Sequence, residues 1–274
     1  MIARIITQHQ IEVYDLSQFD AYAIMHSGQV FRYQTTPTGF AVWSGTHWAE
    51  LQTLPDKVVI NCDDANYFYR YFDLDTDYQA IKNALAFPKL QKAMTVGGGI
   101  RILYGDWVEM VISFIISANN NIKRFTKTLN ALCEQYGDPI DGHGYAFPTL
   151  AQLLPIKATE WRALGCGYRD QYLVKAVQQL TKLDFTALAA MSDAELNKSL
   201  LALAGVGPKV AACIMLFAFH RLAVAPIDTW LKKAITQLTP DEQACILHGE
   251  YAGVAQQYIF YAMQHLHQSL LQEL

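Results

Sequence analysis

The sequence predicts an α+β chain, with an antiparallel sheet followed by a helical region. Up to about residue 80, short β-branched or aromatic runs alternate with glycines, the rhythm of an antiparallel meander. Beyond that point apolar residues recur at helical period and the runs lengthen. The chain has 274 residues, 52% hydrophobic and 17% charged. That supports a sizeable core in one large domain or two ordinary ones, and excludes disorder.

Gly28, Gly39 and Gly45 punctuate strands expected over residues 30–33 and 40–43. Further strands are expected over 48–51 and 57–60, in a sheet with one covered face. Residues 66–72 (NYFYRYF) suit a strand or a connection. Residues 78–85 read as a helix, and Gly97, Gly98 and Gly99 as a flexible break. Residues 107–117 are apolar on nearly all sides, the mark of a buried helix. Helices over 122–136, 168–182, 193–203, 208–219, 229–238 and 254–271 complete the pattern. Ser192 and Asp193 before Glu195 mark one helix start. There is no internal repeat and no long linker. The expected division is a sheet domain over 1–100 packed on an all-α domain over 101–274.

No apolar run reaches the length of a membrane span, and the first ten residues, MIARIITQHQ, lack the order of a secretory signal. Cys62, Cys133, Cys166, Cys213 and Cys245 are too scattered for a disulfide scaffold, a zinc ribbon or a cysteine-ligated iron–sulfur cluster. The expectation is a cytoplasmic protein with free, mostly buried thiols.

With 21 Lys+Arg against 25 Asp+Glu, the net charge is −4. Taken whole, that argues against gripping nucleic acid by bulk positive charge. The distribution reverses this. Residues 110–133 hold Lys123, Arg124 and Lys127 with no acid, and 196–240 hold Lys198, Lys209, Arg221, Lys232 and Lys233 against Asp228 alone. The acids lie elsewhere.

The second of these stretches carries the chemistry. A helix leads into Gly205-Val206-Gly207, and Pro208 opens the next helix. Proline at the first helical position costs no hydrogen bond. The glycines permit a tight turn and leave backbone N–H groups uncovered at a helix N-terminus, where a phosphate oxygen is favoured. Val206 would pin the turn into the core. A lone GVG suits an ordinary helix joint equally well. Lys209, in an otherwise apolar stretch, is a partly desolvated amine able to attack carbon. Asp228 precedes a helix; it is either a plain N-cap or a fixed negative charge beside a developing cation.

These residues, LxGVGxKVA followed by PxD, resemble the helix–hairpin–helix superfamily of DNA base-excision glycosylases. VISFIISANNNIKR at 111–124 is similar to the signature of its 8-oxoguanine DNA glycosylase branch. SGQVFR (27–32), GCGYRDQY (165–172) and AQxxxF (255–260) match in the same order. The resemblance implies an α+β glycosylase with an N-terminal antiparallel sheet and a helix–hairpin–helix domain. It implies excision of 8-oxoguanine, preferentially opposite cytosine, followed by AP-lyase strand cleavage.

Residue by residue, it implies Lys209 as the nucleophile and Schiff-base former, with Asp228 supporting charge at the sugar. Gly28 would offer its carbonyl to the lesion, Gln256 would read the Watson–Crick edge, and Phe260 and Cys213 would sandwich the base. Asn119, Arg124 and Arg169 would contact the orphan cytosine, and Tyr168 would wedge into the stack. Gly205, Val206 and Gly207 would hold the DNA phosphate. No cofactor or metal is implied. The partner is double-stranded DNA containing oxidised guanine, met by a monomer in the cytoplasm, nucleoid or nucleus, with no membrane involved.

On their own, Gly28 reads as a hairpin glycine, Phe260 and Cys213 as core, and Asn119 to Asn121 as a helix stop. Arg124 and Arg169 read as solvated charges. The chain departs from the family at Trp230, where relatives have histidine, and at Met263, where they have an acid. Their joint replacement suggests an apolar contact in place of a polar one. Two alternatives stay open: a monofunctional alkylated-base glycosylase using Asp228 and water, and a non-catalytic hairpin DNA-binding protein.

Overall fold

The computed structural model describes residues 2–265. Six strands form one antiparallel sheet: β1 (Ala3–Thr7), β2 (Gln10–Val13), β3 (Tyr33–Thr36), β4 (Gly39–Ser44), β5 (His47–Thr53) and β6 (Val58–Cys62), in the order β1-β2-β6-β5-β4-β3. The expected meander is β3 to β6; the β1–β2 hairpin extends it past β6. Phe40 and Val42 alternate inward along β4, and Phe40 faces Leu51 across the ladder, as the two-residue period requires. A small hairpin, β7 (Pro139–Ile140) and β8 (Gly144–Tyr145), lies later in the chain.

The helices are α1 (Ala21–Met25), α2 (Ala65–Tyr71), α3 (Tyr78–Ala84), α4 (Pro88–Gly97), α5 (Trp107–Ser117), α6 (Ile122–Tyr136), α7 (Leu150–Leu153) and α8 (Ala158–Ala163). A 3-10 turn (Gly167–Arg169) then leads into α9 (Asp170–Leu180), α10 (Phe185–Ala190), α11 (Asp193–Leu201), α12 (Pro208–Phe217), α13 (Thr229–Ile235), α14 (Pro240–His248) and α15 (Ala252–His265). Residues 266–271 of the last expected helix lie outside the described residues. Among the described residues, no helix is long and apolar enough to cross a membrane. Ser192 caps α11 in a capping box with Glu195.

Three sequence expectations are corrected. The strand expected from residue 30 begins at Tyr33. Before it, the chain turns to place Phe31 against Phe114 and Phe125 in the helical core, with ring centroids 5.4 and 4.7 Å apart. Residues 66–72 are neither strand nor connection but largely helix α2. Asp64 caps it by accepting from the N–H groups of Asn66 and Tyr67, and Phe68 and Tyr71 turn inward. The glycine triplet is a packed crossing rather than a flexible break. A Cβ on Gly97 would come within 2.9 Å of the Ile100 and Tyr261 side chains, and one on Gly99 within 2.6 Å of the Asp20 backbone nitrogen.

Two apolar cores result. The sheet core holds Ile11, Val42, Leu51, Ile60 and Phe68. The helical core surrounds α5 and takes in Tyr78, Ile81, Leu90 and Ala93 from α3 and α4. A buried ion pair, Arg32 to Glu109 at 3.2 Å, joins the two parts of the fold.

Candidate active site

Gly205, Val206 and Gly207 form the turn between α11 and α12. Gly205 has φ +82, and a Cβ there would lie 2.9 Å from Cβ of Tyr172. Glycine is therefore required on two counts, backbone angle and space. Val206 is buried, as expected of the pin. Gly207 caps α12 with no side-chain hydrogen bond, and a Cβ there would meet nothing within 4 Å. The start of α12 is thus open to a ligand.

Lys209 lies in the first turn of α12. It is exposed, which corrects the expected partial desolvation. The apolar residues of α12 face the core, and the amine stands over the Phe114 ring, with Nζ 5.9 Å from its centroid. Cys213 lies one turn on and is buried. Burial pushes its thiol up; the nearby Lys209 ammonium pulls it back, and the Asp228 carboxylate adds to the rise. Lys209, Cys213 and Asp228 therefore share one electrostatic neighbourhood. Asp228 is half-buried and caps α13, its Oδ1 accepting from the Leu231 N–H at 2.7 Å. The cap holds the carboxylate at a fixed place, and capping does not stand against a second role as a fixed charge.

Gly28 and Phe260 come together across 232 residues of sequence. Gly28 has φ +80, and a Cβ there would sit 3.0 Å from Cε1 of Phe260. Gln256 lies one turn before Phe260 on the same face of α15. It is buried, and its Oε1 accepts from Nε2 of Gln257 at 2.9 Å.

On another side, a cleft of about 330 Å³ is lined by Ala118, Tyr168, Arg169, Tyr172 and the hairpin residues 205–207. Asn119 adopts φ +56 just past the end of α5, a conformation asparagine tolerates. Asn119, Arg124 and Tyr168 are exposed, Tyr168 at 59%. Arg169 is not a solvated charge. It is 5% exposed, with its guanidinium under the Tyr168 ring and donating to the carbonyls of Ala118 and Cys166. The carbonyls at the end of α5 lack helical partners, and a cation there is stabilised.

A family model described as the N-terminal domain of 8-oxoguanine DNA glycosylase matches residues 13–111. A second, for helix–hairpin–helix superfamily base-excision DNA repair proteins, matches 112–244. The N-glycosylase/DNA lyase OGG1 of Arabidopsis thaliana is 32% identical over 291 residues, covering 90% of this chain and 78% of that protein. The chain belongs to the 8-oxoguanine DNA glycosylase family. A solved Clostridium acetobutylicum 8-oxoguanine glycosylase/lyase, in complex with double-stranded DNA containing cytosine opposite 8-oxoG, superposes with TM-score 0.87 at 32% identity, covering 96% of this chain and 99% of that one. A 3-methyladenine DNA glycosylase from Archaeoglobus fulgidus shares the fold, with TM-score 0.75 at 14% identity, covering 93% and 98% of the two chains.

As an 8-oxoguanine DNA glycosylase family member, the chain shows supports that residue reading passed over. Ser27 and Gln29 flank Gly28 and are buried in hydrogen bonds. The motif SGQVFR contained them, but nothing in it showed the partners of Gln29 at Arg101 and Leu103, which are remote in sequence. Tyr172 backs the hairpin for the same reason. Met263 is buried and Trp230 half-buried, both against the helical core, and α13 packs on α15. Arg221, from the basic stretch 196–240, is engaged within the fold: it pairs with Asp193 at 3.4 Å and donates to the carbonyls of Ala189 and Met191.

Proposed function

We propose that this protein excises 8-oxoguanine from double-stranded DNA and then cleaves the strand as an AP lyase. The observation that carries the mechanism is the shared neighbourhood of Lys209, Cys213 and Asp228 beside an open helix start. DNA phosphate binds the N–H groups after Gly207. The target nucleotide leaves the stack. Once its ammonium has given a proton to solvent, the Lys209 amine attacks C1′, the glycosidic bond breaks and the base departs with the bonding electrons. Asp228 stabilises positive charge at the sugar meanwhile. The C1′–O4′ bond then breaks, leaving a protonated imine between the amine and C1′ and a C4′ hydroxyl that takes its proton from solvent. A proton is lost from C2′, and the 3′ C–O bond breaks with phosphate as leaving group.

The lesion base lies between Phe260 and Cys213, with Gln256 at its Watson–Crick edge. Gly28 supplies selectivity. 8-Oxoguanine carries a hydrogen on N7 where guanine has a lone pair, so a fixed carbonyl attracts one and repels the other. Such a mismatch in a dry pocket is worth about 1–3 kcal/mol. Asn119, Arg124 and Tyr168, exposed along the other side, take the orphan cytosine and fill the gap. Arg169 reaches that base only by releasing Ala118. The chain acts as a monomer without a cofactor. The division near residue 100 then has a meaning: the sheet domain carries Gly28, and the helical domain the amine.

Incubation with duplexes carrying 8-oxoguanine opposite each of the four bases tests this. Release of the base, fastest opposite cytosine, is the expected result. Equal cleavage of undamaged duplex, or none of any, overturns it. Excision of alkylated bases without strand cleavage would favour the monofunctional alternative.

A further inference from the structure

Gly28 can discriminate two bases only if its carbonyl stays where it is when the wrong base presses on it. A lone glycine has the least backbone restraint of any residue, so the restraint must come from its neighbours. The preceding Ser27 is fully buried, and its hydroxyl donates to the Ile24 carbonyl at the end of α1 at 2.7 Å. The following Gln29 is 3% exposed. Its Nε2 donates to Oγ of Ser27 at 2.9 Å and to the Arg101 carbonyl at 2.8 Å. Its Oε1 accepts from the Leu103 N–H at 2.9 Å.

One side chain thus ties both sides of Gly28 to residues 101–103, more than seventy positions away. That anchor is itself rigid. The Arg101 side chain is buried over the Tyr78 ring and donates to the carbonyls of Gln18, Phe72, Asp73 and Thr76.

We infer that Gln29 is a positioning residue for lesion selectivity, holding the Gly28 carbonyl through a Ser27–Gln29–Arg101 clamp. This rests on the proposed excision of 8-oxoguanine. Gln29 touches no substrate. Its amide satisfies three groups at once, and a side chain of similar length without the amide, such as methionine, leaves all three without it. The loop then gains freedom, and the carbonyl follows the base instead of opposing it.

The test compares two reactions of one protein. Excision of 8-oxoguanine needs the carbonyl; strand cleavage at a preformed abasic site, which has no base, does not. The quantity read is the ratio of the two single-turnover rates, for Gln29→Met and for the milder Ser27→Ala. Ser27→Ala removes only the hydroxyl, so it carries the test if Gln29→Met does not fold. The ratio should fall about tenfold in Gln29→Met and less in Ser27→Ala, as expected for a displaced buried acceptor. A merely structural role lowers both rates together and leaves the ratio unmoved. An excising wild type with an unmoved ratio in every folded variant overturns the inference alone. A wild type that leaves 8-oxoguanine intact overturns the proposed function and the inference with it.

Discussion

Gly28 and the two hairpin glycines show how little a residue type says without its surroundings. Gly28 has φ +80 and the Phe260 ring against it. Gly28→Ala adds backbone strain of roughly 1–2 kcal/mol and pushes the ring away. Excision should drop by an order of magnitude or so while abasic-site cleavage drops less; rates on the two substrates check this. Gly205 and Gly207 look alike in sequence and differ in space. Gly205→Ala meets Tyr172 at 2.9 Å with φ +82, so the fold should lose about 1–3 kcal/mol, measured by urea unfolding. Gly207→Ala meets nothing within 4 Å, so stability should hold while the added methyl obstructs DNA. Unfolding and duplex-binding titrations on the same two variants distinguish these effects. Equal losses of stability in both would contradict this assignment of the two glycines.

The helices that carry the site were legible because their signals are local. Helix α5 spans Trp107–Ser117, the bounds its apolar run implied, and Pro208 and Asp228 open α12 and α13 as read. What was illegible depends on remote partners. Arg32 reads as one more strand residue until Glu109, on α5, is seen 3.2 Å away in the interior. Residues 66–72 carry both strand-like composition and helical spacing, and only the Asp64 cap and the buried face decide. The Glu109 contact has a consequence for pH. Burial pushes Glu109 up from 4.5 to about 7, against the pull of Arg32. Between those values the folded state holds a proton that the unfolded state has lost. This residue's contribution to stability is therefore complete below about 4.5 and declines as pH rises through about 7. Glu109→Gln should remove that slope. Urea unfolding of wild type and variant from pH 5 to 8 measures it; parallel curves would show that Glu109 does not titrate there.

Across the molecule, charge is divided rather than abundant. The net value of −4 combines two basic stretches, residues 110–133 and 196–240, with an acidic remainder. Lys123, Arg124, Lys127, Lys198, Lys209, Lys232 and Lys233 are exposed, while Arg221 is spent on Asp193 and two carbonyls. Contact between about four or five of these seven side chains and the phosphates of one duplex is the expectation. The logarithm of DNA affinity should fall with the logarithm of salt at a slope of roughly −3 to −5. A slope near −9, as for ten neutralised phosphates, would contradict this by requiring more cations than the seven exposed ones named.

The central claim is that the Lys209 amine becomes covalently joined to the damaged strand. Borohydride reduction during incubation with duplex containing 8-oxoguanine opposite cytosine tests it most directly. Wild type should be trapped on the DNA, and Lys209→Gln should bind the same duplex without being trapped. A Lys209→Gln protein that is still trapped would contradict the claim.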